Sequence, residues 1–167
     1  SAGNLEFIYP GSNWIGHGGE LGEWPGINGQ GINYYEKNNF GSYKSYHVMN
    51  SYADFFGGYY HDDDFGFGHL TSYDEKPGKK LWIWGLSQQG MIWEDLLTDD
   101  DGQYIEFQAG KLFNQAAENS TQTPFKHKEF AAHDTDLMHE IWFPLKETGG
   151  MLGASPLGVL NIEDAQN

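Results

Sequence analysis

A chain of 167 residues suits one domain with a single core and is too short for two independent domains of ordinary size. Its 24 acidic residues outnumber nine basic ones and give a formal net charge of −15, which argues against a nucleic acid or an anionic membrane as a partner. The chain contains no cysteine, which excludes disulfides, thiolate catalysis and cysteine-ligated metals.

The composition indicates β-structure rich in aromatic residues. Aromatic residues make up 16% of the chain, and 23 glycines with six prolines favour many short strands joined by tight turns. Large rings must supply much of the buried apolar area, and flat rings are also what sugar sites use. We predict an all-β, antiparallel β-sandwich in one domain spanning residues 1–167.

The first half of the chain reads as a glycine-rich loop followed by strands. Glycines punctuate residues 11–33 and predict a surface loop that carries aromatic residues such as Trp14 and Trp24. Residues 43–60 are strand-like with an interruption at Gly57-Gly58. The acidic stretch 61–64 then predicts a turn, and 65–73 the returning strand of a hairpin.

The next predicted strand, residues 79–85, carries two tryptophans. In an extended strand Trp82 and Trp84 share one face, and Leu81 and Ile83 share the other. The tryptophan face is therefore either core or a platform on which a sugar stacks.

The rest of the chain continues as short elements. Residues 88–97 form either a short helix or a loop, and Asp101-Gly102 favours a hairpin turn before a strand at 104–109. The remaining predictions are a loop at 116–128, strands at 129–133 and 137–145, a turn at 148–150, and last strands at 151–154 and 159–162.

The strand at 104–109 pairs a carboxylate with an amide. Alternation places Glu106 and Gln108 on one face, while Ile105 and Phe107 point into the presumed core. A carboxylate accepts hydrogen bonds from two hydroxyls, and an amide both donates and accepts, so the pair suits a sugar. The alternative is an ordinary solvated strand face.

His69 is the first candidate for a partner to Glu106. It lies in Gly66-Phe67-Gly68-His69-Leu70, where glycine permits close approach of a backbone or ligand. A histidine acts as a general acid near neutral pH and complements a glutamate base, provided that the two strands are neighbours.

No cofactor is predicted. The aspartates at 62–64 and 99–101 are better explained as turn residues, although calcium remains an alternative. The histidines His127, His133 and His139 have no spacing typical of a zinc site.

Several segments together resemble a bacterial family of unknown function in the galactose mutarotase-like, or aldose 1-epimerase-like, superfamily. The resemblance covers roughly residues 10–160, and its most specific parts are Pro-Gly-Lys-Lys from Pro77 and Tyr-Ile-Glu-Phe-Gln-Ala-Gly from Tyr104. The segments are residues 54–60, 66–69, 77–85, 97–110 and 142–144.

That resemblance implies a β-supersandwich with sugar bound on the concave face of a large antiparallel sheet. In epimerases of the superfamily a glutamate removes the anomeric hydroxyl proton and a histidine protonates the ring oxygen. The segment with Glu106, followed by Gln108 and Asn114, is similar to the one that carries this glutamate, and His69 is the candidate histidine. The usual arginine has no counterpart, which argues against simple mutarotase activity.

The resemblance also implies that the chain is the C-terminal portion of a larger domain, because a full supersandwich needs about twice this length. Half a sandwich would expose apolar sheet unless an N-terminal region, a second chain or another protomer covered it.

Three hypotheses follow for function. The first is an epimerase or glycoside hydrolase acting on a mono- or oligosaccharide, with Glu106 as base and His69 as acid; Asp54, Glu94 and Asp95 are candidates for a second glycosidase carboxylate. We favour a secreted or periplasmic location.

The second hypothesis is a noncatalytic carbohydrate-binding module, and the third is a structural sandwich whose tryptophans are core. In the module, Trp82 and Trp84, with Trp14 or Trp24 as further candidates, would stack on sugar rings. The hydroxyls would be held by Glu106, Gln108 and Lys111, and an acidic glycan would be met by Lys79, Lys80 or Lys111.

Overall fold

The computed structural model describes residues 4–17, 19–111 and 130–162. In chain order the strands are β1 (Leu5–Ile8), β2 (Asn13–Ile15), β3 (Leu21–Glu23), β4 (Gly26–Ile27), β5 (Gln30–Gly31), β6 (Tyr43–Met49), β7 (Phe55–Tyr60), β8 (Phe65–Thr71), β9 (Gly78–Trp84), β10 (Ile105–Gly110), β11 (Glu140–Lys146), β12 (Gly153–Ser155) and β13 (Gly158–Leu160). A 3₁₀ turn covers Tyr35–Lys37, and one α-helix, α1, covers Gln88–Leu97.

Two antiparallel sheets form the sandwich. The first has four strands in the order β1, β7, β8, β11, and the second has five in the order β10, β9, β6, β2, β3. Two small hairpins, β4–β5 and β12–β13, stand apart from them. The predicted all-β antiparallel sandwich is confirmed.

Aromatic rings hold the two sheets together. The ring centroid of Phe107 on β10 lies 4.8 Å from that of Phe67, 5.2 Å from that of Phe56 and 6.2 Å from that of Phe7, all on the four-stranded sheet. Leu81 and Ile83 of β9 are fully buried in the same cluster. Such ring contacts add to the free energy that comes from area burial alone.

Residues 11–33 do not form the predicted surface loop with exposed aromatic residues. They contribute β2 to β5, and Trp14 and Trp24 are only 4% and 7% exposed. The glycines make this possible: a Cβ on Gly22 would come within 2.3 Å of the Trp14 ring. The indole nitrogen of Trp24 donates to the carbonyl of Tyr9 at 3.0 Å. Neither ring is available as a stacking platform.

The glycine pair at 57–58 lies inside β7 instead of interrupting a strand. A Cβ on Gly57 would come within 2.2 Å of the Phe67 carbonyl oxygen, so glycine there permits the close approach of β7 and β8. The interruption between strands lies before β7 instead, at Asn50, whose φ is +65°. Asn is among the residues that tolerate this conformation best.

The second half follows the sequence prediction in most of its elements. The 88–97 segment is helical, and the turn at 61–64 and the strand β10 are present. The turn at 98–102 is also present, but it joins α1 to β10 and is therefore not the predicted hairpin turn. The described part of 129–133 is a turn instead of a strand, because the Asp134 carboxylate accepts from the Ala131 N–H. The loop predicted at 116–128 lies outside the described residues. No helix in the described part of the chain is long and apolar enough to span a membrane.

The far side of the four-stranded sheet carries a smaller apolar layer. Tyr59, Leu145 and Met151 form its buried centre. On the other side of this sheet, at its edge strand β11, Trp142 is 53% exposed, and Leu157 projects from the β12–β13 hairpin. The expectation that a partner or further chain covers apolar sheet stays a prediction.

Buried lysines lie at one end of β9. Lys79 is 4% exposed, and its ammonium donates to the carbonyl of Lys76 at 3.1 Å. Lys76 pairs with Asp136 at 2.6 Å, and Lys111 pairs with the same carboxylate at 2.8 Å. These two cations hold the pKa of Asp136 down, to about 2. Burial lowers the pKa of Lys79 to about 8 from its ordinary 10.5, although Asp54 acts in the opposite direction.

The first prediction concerns the pH dependence of the free energy of unfolding of a Lys79→Met variant. Below pH 8 the buried ammonium is charged in both states and the burial penalty is complete; between pH 8 and 10.5 the folded protein releases this proton and the penalty fades. The stability of the wild type should therefore rise relative to the variant by about 1–3 kcal/mol over that window.

Urea unfolding at pH 7, 9 and 10.5 measures this change, with the exposed Lys146→Met as the matched control for loss of a charge. A constant difference between wild type and Lys79→Met across the three pH values would contradict the prediction.

Candidate functional site

The outer face of the five-stranded sheet is the face that turns away from the four-stranded sheet. Leu81, Ile83 and Phe107 belong to the core cluster between the sheets, so strand alternation turns their neighbours outward. These outward side chains are Lys80, Trp82 and Trp84 of β9 and Glu106 and Gln108 of β10.

Cross-strand register arranges the outer face in rows over β10, β9 and β6. The first row is Gln108, Lys80 and His47. The second row is Glu106, Trp82 and Ser45. The third row has Trp84 and Tyr43. The face therefore passes from polar to aromatic along the strands.

The aromatic part of this face is the aromatic shelf, made of Tyr43, Trp82, Trp84, Trp93 and Tyr104. The rings of Tyr43 and Trp82 are nearly parallel at 19° with centroids 5.7 Å apart. Trp93 of α1 stacks on Trp84 at 4.6 Å and 14°. Tyr43 and Tyr104 are exposed, and Trp82 and Trp84 are half-buried. The shelf thus presents ring surface to solvent.

Glu106 is the acceptor at the edge of the shelf. Its carboxylate accepts a hydrogen bond from the amide nitrogen of Gln108. The negative charge of Glu106 raises the pKa of Tyr104, and burial and a hydrogen bond between the two side chains act in the same direction. The predicted Glu106–Gln108 pair therefore exists, with a phenol beside it that the sequence analysis did not single out.

Lys80 and His47 are buried on the same face. Burial lowers the pKa of Lys80, and the charge of Glu106 partly opposes this. His47 is 2% exposed, and burial lowers its pKa to about 3, with Lys80 and His17 lowering it further. Its Nδ1 lies 3.2 Å from the Ile15 carbonyl, which can only accept. Nδ1 therefore carries the hydrogen, and Nε2 keeps its lone pair.

Ser45 adds a hydroxyl to the second row. Its side chain is almost fully buried, and its Oγ has no hydrogen-bond partner among the described residues. A buried hydroxyl without a partner carries a free-energy penalty.

His69 lies elsewhere. It shares the inner face of β8 with Phe67, its ring centroid is 5.0 Å from that of Phe56, and its Nε2 lies 2.8 Å from a Glu140 oxygen. Burial lowers the pKa of His69, while Glu140 opposes the shift. Glu106 faces away from this core, so the five-stranded sheet separates the two residues. The structure does not bring Glu106 and His69 together.

The other predicted site residues have mixed placements. Trp82, Trp84, Glu106 and Gln108 meet on the outer face, whereas Lys111 at the end of β10 is paired with Asp136. Asn114 lies outside the described residues. Among the residues that the structure does describe, no group of three His, Asp or Glu side chains could hold a metal ion.

The contribution of β6 to the face is not predicted from the sequence. Tyr43, Ser45 and His47 alternate along one strand, and that spacing was readable. The pairing of β6 with β9 was not, because it joins residues far apart in sequence and depends on tertiary packing.

Comparisons with known proteins place the chain in a family. The family model described as Domain of unknown function (DUF5107) matches residues 1–145, so the chain belongs to that family. The chain is also similar to the crystal structure of a TPR-domain containing protein from Parabacteroides distasonis ATCC 8503, with a TM-score of 0.56 and 18% identity over 98% of this chain. The chain covers 25% of that protein's chain, and a likeness at this identity shows the fold alone.

The second prediction concerns the protonation of His47. Because its folded pKa, about 3, lies below the ordinary 6.5, its contribution to stability is complete above pH 6.5 and is lost as the pH falls toward 3. On acidification the free energy of unfolding of His47→Gln should therefore fall less than that of the wild type, and the difference should reach about 2 kcal/mol at pH 5. Nitrogen-detected NMR should show a neutral ring protonated at Nδ1 at that pH.

The exposed His139→Gln is the control for loss of an imidazole. A His47 ring that becomes protonated between pH 7 and 5 would contradict the assignment.

Proposed function

We propose that this member of the family binds a neutral mono- or oligosaccharide on the outer face of its five-stranded sheet. The observation that carries the proposal is the direct cross-strand pairing of Trp82 with Glu106, which sets a ring and a carboxylate side by side on one face. Sugar recognition needs these two kinds of group next to each other.

The aromatic shelf suits the apolar face of a sugar ring. Tyr43 and Trp82 are stacked with their planes within 19° of parallel, which holds their exposed ring surface in one orientation for contact with the C–H groups of a pyranose. Trp84 meets Trp82 edge to face at 4.6 Å and is itself stacked on Trp93, which restrains the shelf before any ligand arrives. Preorganised rings bind with a smaller loss of side-chain entropy.

The polar rows suit the hydroxyls. Glu106 and Gln108 together accept and donate hydrogen bonds. The net charge of −15 and the absence of arginine disfavour an anionic sugar.

The resemblance to the galactose mutarotase-like superfamily is a second support. The segment around Glu106 is similar to the one that carries the superfamily's catalytic glutamate, and sugar on a sheet face is what that resemblance implies. Membership of that superfamily is part of the proposal.

The third prediction is tested by titration calorimetry against a panel of mono- and oligosaccharides. Trp82→Ala removes the ring and Glu106→Gln removes the charge, and each should weaken binding at least tenfold, about 1.4 kcal/mol. Trp142→Ala is the matched control, because it removes an exposed tryptophan from the other sheet and should leave affinity unchanged.

Absence of binding across the panel would reject the proposal. Equal losses in Trp82→Ala and Trp142→Ala would move any sugar site away from the outer face.

A second candidate function is acid–base processing of the bound sugar. Glu106 and His47 share the outer face in adjacent rows, two strands apart, on the order of 10 Å. One sugar ring fits between groups at that separation. Glu106 would take up the proton of the anomeric hydroxyl and water would supply the proton that the ring oxygen takes up, because the neutral ring of His47 carries no hydrogen on Nε2 and His69 lies across the sheet.

The fourth prediction separates processing from binding. If a bound sugar is epimerised or hydrolysed, as followed by proton NMR, turnover should fall at least a hundredfold in Glu106→Gln, on the order of general acid–base catalysis. His69→Gln should keep most of the activity. Loss of turnover in His69→Gln with activity retained in Glu106→Gln would contradict this assignment, and binding without turnover would leave the binding function alone.

A further inference from the structure

The β12–β13 hairpin is an uncharged projection on a strongly acidic chain. Residues 148–162, which include the hairpin, contain no Asp, Glu, Lys or Arg, although the chain carries a formal net charge of −15. Surface segments are normally rich in charged residues, which remain hydrated in the folded state. The hairpin therefore lacks the groups that usually keep a surface segment in contact with water.

Several apolar side chains of this hairpin are exposed. Leu157 at its tip is 99% exposed, and Leu160 and Ile162 are 60% and 67% exposed. Leu152, which precedes β12, is 62% exposed. Single exposed apolar residues need no explanation, but several on one small element form a patch, and a patch of a few hundred Å² marks an interaction site.

The hairpin is held firmly against the rest of the fold. Met151, which is buried, and Ala154 pack in the apolar layer on the four-stranded sheet. The side-chain amide of Asn161 donates to the carbonyl of Thr148 at 2.7 Å. The exposed apolar side chains are therefore in place before any partner arrives, which reduces the entropy lost on binding.

Strand alternation turns one face of the hairpin outward. Ala154 packs toward the four-stranded sheet, so its cross-strand partner Val159 faces the same way and is only 37% exposed. Leu160 and its partner Gly153 then face away from that sheet. Because glycine has no side chain, another chain can approach the backbone beside Leu160 closely.

The outer edge of β13 has no strand beside it among the described residues. In the part of the chain that the structure describes, β12 and β13 pair with each other and with no other strand. All of β13 is exposed, whereas Gly153 and Ala154 of β12 are half-buried. The edge of β13 therefore presents N–H and C=O groups that can pair with a further strand.

Edge strands of the two large sheets carry residues that oppose pairing with another chain. β11 contains Pro144, which has no N–H, and β3 contains the exposed Glu23. Proline and charged residues are the usual protection of a sheet edge. β13 has neither kind of residue, so its edge is open to a further strand.

A second copy of this chain is the partner that fits the edge. Antiparallel pairing of β13 with β13 of the copy is self-complementary, as a twofold interface requires, because each edge supplies both donors and acceptors. Two chains of charge −15 repel each other, and the repulsion is least where both surfaces are uncharged. A basic partner would need acidic residues at the contact, which this hairpin lacks.

We propose that the chain forms a twofold dimer through its β12–β13 hairpins, with β13 paired antiparallel to β13 of the copy. The two hairpins then form one continuous sheet, and Leu160 and Ile162 are covered at its centre. The patch is smaller than the roughly 800 Å² per partner of a standard stable interface, so the dimer dissociates on dilution. The contact lies on the side of the four-stranded sheet and does not rest on sugar binding.

The fifth prediction is tested by analytical ultracentrifugation of the chain over a dilution series. The mass should rise from that of one chain at about 1 μM to that of two chains at about 1 mM, as expected for a small interface. Leu160→Asp places a charge in the contact and should weaken the dimer at least tenfold. Raising the salt from about 0.05 to about 0.5 M should strengthen the dimer, since salt screens the repulsion between two acidic chains.

Leu96→Asp is the matched control, because it adds the same charge to a leucine of similar exposure, 63%, on α1. It should leave the dimer unchanged, and circular dichroism should show that both variants keep the fold. A chain that stays monomeric across the series would overturn the proposal and leave the hairpin to a different protein chain. A dimer that Leu160→Asp weakens no more than Leu96→Asp does, or one that salt weakens, would also overturn it.

Discussion

The direction in which Phe107 points decides the chemistry of the molecule. Its ring packs against phenylalanines of the opposite sheet, which fixes one face of β10 as inner. Side chains alternate along a strand, so Glu106 and Gln108 must then face outward. The antiparallel register with β9 places Trp82 and Lys80 beside them. One apolar contact between sheets therefore determines which polar groups can meet a ligand.

The two consecutive lysines of β9 show how the same alternation of side chains distributes charge. Lys79 and Lys80 are neighbours in sequence, and alternation sends one cation to each side of the sheet. Lys79 reaches the inner side near Asp54, and Lys80 reaches the outer side near Glu106 and His47. In a chain without arginine, this pair supplies buried positive charge to two separate polar regions. Burial disfavours both charges, so each region holds its cation at a cost in stability.

The sequence patterns predicted the features that depend only on residues close together in the chain. The two-residue period placed Trp82 and Trp84 on one face and Glu106 with Gln108 on one face, and turn residues marked the ends of most strands. The pattern could not tell on which side of the sandwich each face lies, nor which strands pair. For that reason the pairing of Glu106 with His69 was not found in the structure, and His47 of β6 was missed. Trp14 and Trp24 were also predicted wrongly, because glycine-rich segments are typical of loops, whereas here Gly22 leaves room for the buried Trp14 ring.

The close stacking of Trp84 on Trp93 has an optical consequence. Three indoles, those of Trp82, Trp84 and Trp93, form a chain with neighbouring centroids 4.6 Å apart. At that separation their electronic transitions couple, so the near-ultraviolet circular dichroism and the fluorescence of the protein report the relative angles of these rings. Trp93 belongs to α1 and Trp84 to the sheet, so the signal also registers how the helix lies against the sheet. These coupled indoles therefore give an optical signal from the same face on which we propose that the sugar binds.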